Sequence, residues 1–251
     1  MSIRTKFNSL FLVSILLVAL FAFYKVFEDP QRVYRLKAKM GLYDPMHSIQ
    51  YQSLITMYQR VDKNVSPGSV IFIGDSLVQG LAVSEIGPKA VNFGIGHDTT
   101  EGLLNRLPHY QSIKRAKALV IAIGFNDLNK IDDHTLMANY DSIFATIDEH
   151  VAIFISAIHP VDEQLVDQSQ ISNQRIQAIN SQLAEKARGK TNIYFSSVYA
   201  KLSKNGKLDG RYHIGDGIHL NKQGNELWIA QLIEDLETFS KPNRIDISEK
   251  N

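Results

Sequence analysis

The chain has 251 residues, 44% of them hydrophobic and 21% charged, the composition of one good-sized globular domain with an N-terminal extension. A net charge of +1 gives no basis for a nucleic-acid partner, and the absence of cysteine excludes disulfides, thiolate catalysis and zinc–thiolate sites while suiting an oxidising compartment. The charge is uneven: residues 1–65 carry 9 Lys/Arg against 4 Asp/Glu, and the remainder carries 18 against 22.

Phe7–Tyr24 is an uncharged, apolar stretch of 18 residues. As a helix it would be about 27 Å long, close to a bilayer core. Arg4 and Lys6 precede it, as in a signal sequence. No small-residue cleavage site follows, since Leu20-Phe21-Ala22 fails at its first position. The expectation is a retained signal anchor within residues 1–29, a single transmembrane helix, with a buried core helix as the plain alternative. Lys25, Arg32, Arg35, Lys37 and Lys39 on its far side would, counted alone, place that side in the cytoplasm. Glu28 and Asp29 interrupt them, and long domains translocate with little regard for charge. The domain is therefore expected outside the cytoplasm, periplasmic or extracellular. The basic stretch 32–39 reads equally as a contact for anionic headgroups or as a solvated helix face.

Residues 30–66 read as a connector broken by Pro30 and Pro45. Ile49, Leu54, Ile55, Tyr58 and Val61 predict one amphipathic helix near 47–61. Ser66-Pro67-Gly68 is a turn that opens a domain over 67–240, with a polar tail at 241–251. Inside the domain five apolar runs alternate with helical stretches: Ser69–Ile73, Ala90–Phe93, Ala118–Ile123, Val151–Ser156 and Asn192–Ser196. They lack polar alternation, as strands covered on both faces of a parallel sheet do. Helices are predicted over Asn173–Arg188 and over 222–239, the latter capped by Asn221, with Leu227, Ala230, Ile233 and Leu236 on one face. This is an open, doubly wound α/β sandwich, whose site lies at the carboxyl ends of the strands.

Four segments carry chemistry there: Gly74-Asp75-Ser76-Leu77, Asn92-Phe93-Gly94, Gly124-Phe125-Asn126-Asp127 and Asp216-Gly217-Ile218-His219. Ser76 follows the first strand and opens a helix, so it reads as a nucleophile or as a helix cap. Gly94 follows the second strand and could turn an N–H toward an oxyanion, or simply shape a glycine-rich turn. A dinucleotide loop is rejected there, because Thr99 stands where the third glycine or alanine would be. The Asn126 amide follows the third strand as an oxyanion donor or a helix cap, and Asp75 and Asp127 read as structural hydrogen-bonding residues. Asp216 sits three residues before His219, the spacing of a base and its orienting carboxylate. A metal pair there, recruiting His97-Asp98 or Asp132-Asp133-His134, is the less favoured alternative. His47, His109, His150, His159 and His213 read as surface or structural residues.

In order and placement these segments resemble the SGNH (GDSL) hydrolases over about residues 68–238, and Asn92–Gly96 with Asp98-Thr99-Thr100 is similar to the platelet-activating-factor-acetylhydrolase-like branch. The resemblance implies a flavodoxin-like, three-layer sandwich with a five-stranded parallel sheet. It implies Ser76 as nucleophile, with Ser76, Gly94 and Asn126 forming the oxyanion hole. His219 would be the base and Asp216 its orienter, with no metal and no cofactor. His97 departs from the small residue common at that position, and Val78 removes the Gly-x-Ser-x-Gly elbow of α/β-hydrolases. The expected activity is that of a membrane-anchored serine esterase on small acyl esters, for example O-acetyl groups on a glycan or lipid. An acyltransferase with a sugar or lipid acceptor stays open, as does a catalytically silent glycan- or lipid-binding scaffold.

Overall fold

The computed structural model describes residues 48–166 and 171–240 continuously, and scattered residues between 15 and 46. Two compact units divide the chain, Met1–Ser48 and Ile49–Asn251. In the first, Ile15–Val18, Leu20 and Phe21 are helical with side chains 51–69% exposed. The rest of the expected anchor up to Phe23 lies outside the described residues, as does the tail 241–251. Among the described residues no helix is long and apolar enough to cross a membrane.

The second unit opens with α1, Ile49–Asp62, which buries Tyr51, Tyr58 and Asp62. Thus the helix expected in a connector lies in the same compact unit as the sheet. Five strands follow: β1 Val70–Gly74, β2 Ala90–Gly94, β3 Ala118–Ala122, β4 Ala152–Ser156 and β5 Ile193–Ser196. They pair in parallel in the order β2-β1-β3-β4-β5. The five apolar runs therefore form the strands expected of them. Every residue of β3 and β4 is buried, which requires cover on both faces. Phe72, Val120 and Phe154 alternate onto one face with Trp228, Leu232 and Leu236, whereas Ile71, Ile73, Leu119, Ile121, Ile153 and Ile155 bury on the other.

The connecting helices are α2 Ser76–Gln79, α3 Thr100–Arg106, α4 Asp133–Ala145, α5 Asn173–Ala187, α6 Tyr199–Leu202 and α7 Lys222–Ser240. A two-stranded hairpin, β6 Ser203–Lys204 with β7 Lys207–Leu208, follows α6. Asn221 caps α7 as expected, its Oδ1 accepting the Gly224 N–H at 3.1 Å. The buried stripe of α7 differs from the expected one. Trp228, Ile229, Leu232 and Leu236 are buried, while Leu227 and Ile233 pack at its margin. The single tryptophan decides this rotation, because its large ring fills the space above β4 and its Nε1 donates to Ser156 Oγ at 3.1 Å.

Chain order reverses between β1 and β3, so their carboxyl ends frame the crevice in which doubly wound folds bind ligands.

Candidate active site

Ser76 leaves the end of β1 as the first residue of α2, and Asp75 caps that helix by accepting the Leu77 N–H at 2.9 Å. The turn is possible only for glycine at position 74: a Cβ there would lie 1.9 Å from the Ala122 carbonyl oxygen and 2.7 Å from Val78 Cγ2. Close approach to β3, with no need of positive φ, is the reason for this residue. As the first helical residue, Ser76 keeps its N–H without an acceptor among the described residues.

His219 reaches Ser76 from 143 residues away, with Nε2 at 2.9 Å from Oγ. Its Nδ1 meets Asp216 Oδ2 at 2.5 Å. Asp216 Oδ1 accepts the backbone N–H groups of Ile218 and His219 at 3.0 and 2.9 Å. Partial burial pushes the Asp216 carboxyl up, but the His219 ring and these two N–H donors outweigh it and hold the group below the ordinary carboxylate range. Asp216 is therefore an anion that fixes the ring with Nδ1 protonated, leaving Nε2 to face Ser76 as an acceptor. The loop is braced by His213, whose Nδ1 accepts the Gly215 and Gly217 N–H groups at 3.0 and 3.2 Å. Asp162 N–H also donates to Gly217 O at 2.9 Å. The structural role expected of His213 is thus at the site itself, a placement its sequence neighbourhood does not signal.

Asn126 lies in a 3₁₀ turn after β3, Phe125–Asp127. Its Nδ2 donates to Asp98 O at 2.9 Å, which leaves the second amide hydrogen without an acceptor among the described residues. It caps no helix; Asp132 caps α4 by accepting the Thr135 N–H at 2.7 Å. Asp127 holds its loop by accepting from Thr100 N and, at 2.5 Å, from Thr100 Oγ1.

The Gly94 N–H is engaged by a neighbouring side chain. It donates to Asn92 Oδ1 at 2.8 Å, and Asn92 Nδ2 bonds Val78 O and Leu81 O at 2.6 and 3.0 Å. A Cβ on Gly94 would lie 2.3 Å from Gln79 N, so this glycine lets α2 settle against β2. Gly96 lies beside Ser76: its Cβ position is 3.9 Å from Ser76 Cβ, and its N–H donates to Gln79 Oε1 at 2.7 Å. His97 follows with φ +65°, a left-handed conformation uncommon outside glycine. Burial, with the Lys130 and His219 charges, lowers its pKa and favours the neutral ring.

Beneath the loop lies an ion pair absent from the reading of the sequence. Asp98 Oδ2 meets Arg106 Nε at 2.8 Å, with both side chains at most 1% exposed. The guanidinium also donates to Phe93 O and Gly74 O at 2.8 and 3.1 Å, tying the ends of β2 and β1 together. All three nitrogens of the fork are hydrogen-bonded, which is how a buried arginine is tolerated. Asp98 is thus engaged in the core, and among the described residues no group of three or more His, Cys, Asp or Glu is assembled that could hold a metal ion.

Solved structures share this fold. A protein from Streptococcus pneumonia, named as a candidate platelet activating factor, is 25% identical with a TM-score of 0.68, covering 74% of this chain and 92% of its own. A GDSL-like lipase from Bacteroides thetaiotaomicron is 17% identical with a TM-score of 0.64, covering 74% and 98%. A carbohydrate esterase family 3 protein from Talaromyces cellulolyticus is 13% identical with a TM-score of 0.53, covering 68% and 97%. No curated protein matches the chain in sequence. The profile of the GDSL-like lipase/acylhydrolase family matches residues 72–227, a span holding Ser76, Asn126, Asp216 and His219, and the chain belongs to that family.

Proposed function

We propose that the protein is a serine esterase that cleaves small acyl esters through an acyl-serine intermediate. The observation that carries this reading is the relay Ser76 Oγ–His219 Nε2–Asp216, at 2.9 and 2.5 Å. His219 Nε2 takes the Ser76 proton as Oγ attacks the ester carbonyl carbon. The tetrahedral oxyanion is met by the Ser76 N–H and the second Asn126 Nδ2 hydrogen, the two expected donors left open. Gly94 could join them only by giving up its bond to Asn92 Oδ1. The proton on His219 then passes to the departing alcohol. Water repeats the sequence on the acyl-serine, with His219 again the base. No step calls on a cofactor.

For the substrate we favour O-acetyl groups on a glycan, a class consistent with the carbohydrate esterase among the similar folds. The uncharged stretch Phe7–Tyr24 supports a membrane anchor, with the Ile49–Asn251 unit outside the cytoplasm.

The deciding experiment labels the full chain with a fluorophosphonate, maps the adduct, and compares the wild type with Ser76→Ala on p-nitrophenyl acetate and an acetylated xylan. Label on Ser76 and loss of cleavage in the variant are expected; label on another serine, or full activity in the variant, would overturn the mechanism. Protease access to intact cells, with intact-mass analysis, tests the anchor and its orientation: a protected domain would reverse the orientation, and a chain lacking its first two dozen residues would show that the stretch is cleaved.

A further inference from the structure

Helix α1 precedes the segment that matches the family, 72–227, yet it is bonded to the loop beside Ser76. Tyr51 and Tyr58 stand two turns apart on one face of the helix, both buried, at 5% and 8% exposure. Tyr58 Oη donates to Gly94 O at 2.8 Å, and Tyr51 Oη donates to Asp98 Oδ1 at 2.6 Å. These are the two ends of the loop Gly94–Asp98. Between them Gly96 lies against Ser76, and at its far end the Asp98 carbonyl holds Asn126 Nδ2 at 2.9 Å. A continuous chain of hydrogen bonds therefore runs from α1 through Asp98 to Asn126.

The helix is itself fixed at its other end. Asp62 accepts the N–H groups of Gln111 and Ser112, each at 2.9 Å, and the Tyr58 ring packs on Phe93 at 5.2 Å between centroids. Asp98 is fully buried, and its carboxylate is satisfied by three donors: Tyr51 Oη, Thr99 N–H and Arg106 Nε. Removing one donor leaves a buried carboxylate oxygen under-bonded where water is scarce, so the loop must shift to recover a partner. Any such shift carries the Asp98 carbonyl, and Asn126 with it.

We propose that Tyr51 and Tyr58 are positioning residues, which hold the loop Gly94–Asp98 and through Asp98 set the aim of Asn126 at the oxyanion. The proposal rests on the serine-esterase reading above. It makes α1 part of the working enzyme although it lies outside the family segment.

The test uses the full chain with Tyr51→Phe, Tyr58→Phe and the double variant, which keep the rings and remove only the hydroxyls. Tyr194→Phe serves as control, since that residue lies on β5 and its hydroxyl donates to Thr191 O at 3.0 Å. On p-nitrophenyl acetate, kcat should fall on the order of tenfold for each single variant and about a hundredfold for the double, with KM within about twofold. Fluorophosphonate labelling of Ser76 should slow in step, and amide exchange across Gly94–Asp98 should quicken. The control should match the wild type. A bond that only stabilises the fold would lower the unfolding midpoint while leaving kcat per folded molecule unchanged, and that result would overturn the proposal. Should the wild type cleave no ester at all, the esterase reading fails by itself. Amide exchange then decides the coupling: faster exchange in the variants upholds the hold of α1 on the loop, and unchanged exchange refutes it.

Discussion

Acid should unfold this protein partly through His159, a residue outside the candidate chemistry. His159 is 4% exposed, its ring meets Trp228 edge-on at 4.5 Å, and neither ring nitrogen has a partner among the described residues. Burial pushes its pKa down to about 3. Above the ordinary value of about 6.5 the ring is neutral in both folded and unfolded chains and contributes nothing to pH dependence. Below it the unfolded chain takes up a proton that the native state refuses, so stability is lost at ~1.4 kcal/mol per pH unit until about pH 3. Between pH 8 and pH 4.5 the loss comes to ~2.7 kcal/mol. Asp75 works in the opposite sense. Burial raises its carboxyl to about 7, outweighing the Leu77 N–H it accepts. The native state then binds a proton that the unfolded chain does not bind until about pH 4, and folding gains ~3 kcal/mol over the same interval. Asp75 thus offsets His159 in the wild type, and the comparison must be made against His159→Phe, which keeps a ring beside Trp228. Urea unfolding of the full chain, followed by Trp228 fluorescence at pH 8 and pH 4.5, should show the variant gaining ~2.7 kcal/mol relative to the wild type on acidification. Equal pH dependence in the two proteins would mean that native His159 accepts its proton, and the reasoning would fail.

Asn126→Ala should lower kcat by on the order of 10²–10³ with KM little changed, the loss expected for one oxyanion donor; steady-state kinetics on p-nitrophenyl acetate checks this, and an unchanged kcat would leave Asn126 as a loop residue. Asp216→Asn should reduce kcat less than His219→Ala does, because it removes orientation and charge and leaves the base in place; the reverse order would break the assigned roles. Gly94→Ala keeps its N–H but places a Cβ 2.3 Å from Gln79 N, so it should destabilise the fold by about 1–3 kcal/mol in urea. A fully stable Gly94→Ala would contradict the close packing of α2 on β2.

The sheet was legible because each strand is a short apolar run, and a strand covered on both faces needs no pattern beyond that. Ser76, Asn126, Asp216 and His219 could be placed at strand ends and before the last helix from local order alone. Their convergence could not be read there, since Ser76 and His219 meet across 143 residues. Gly94 shows where local reading stops: a glycine after a strand is compatible with an oxyanion donor or with close packing, and only its neighbours in space, Asn92 and the backbone of α2, show what its N–H and its bare Cα meet. The tyrosines of α1, the Asp98–Arg106 pair and His159 left no signal of their roles in the chain. Their partners are remote in sequence or specified by burial, and burial is a property of the packed molecule. Composition, the succession of strands along the chain and the residues of the candidate site were thus legible in the sequence alone. Which N–H groups stay open, and what holds them in place, was decided only by tertiary packing, because a buried donor's free energy depends on every acceptor the fold brings within reach.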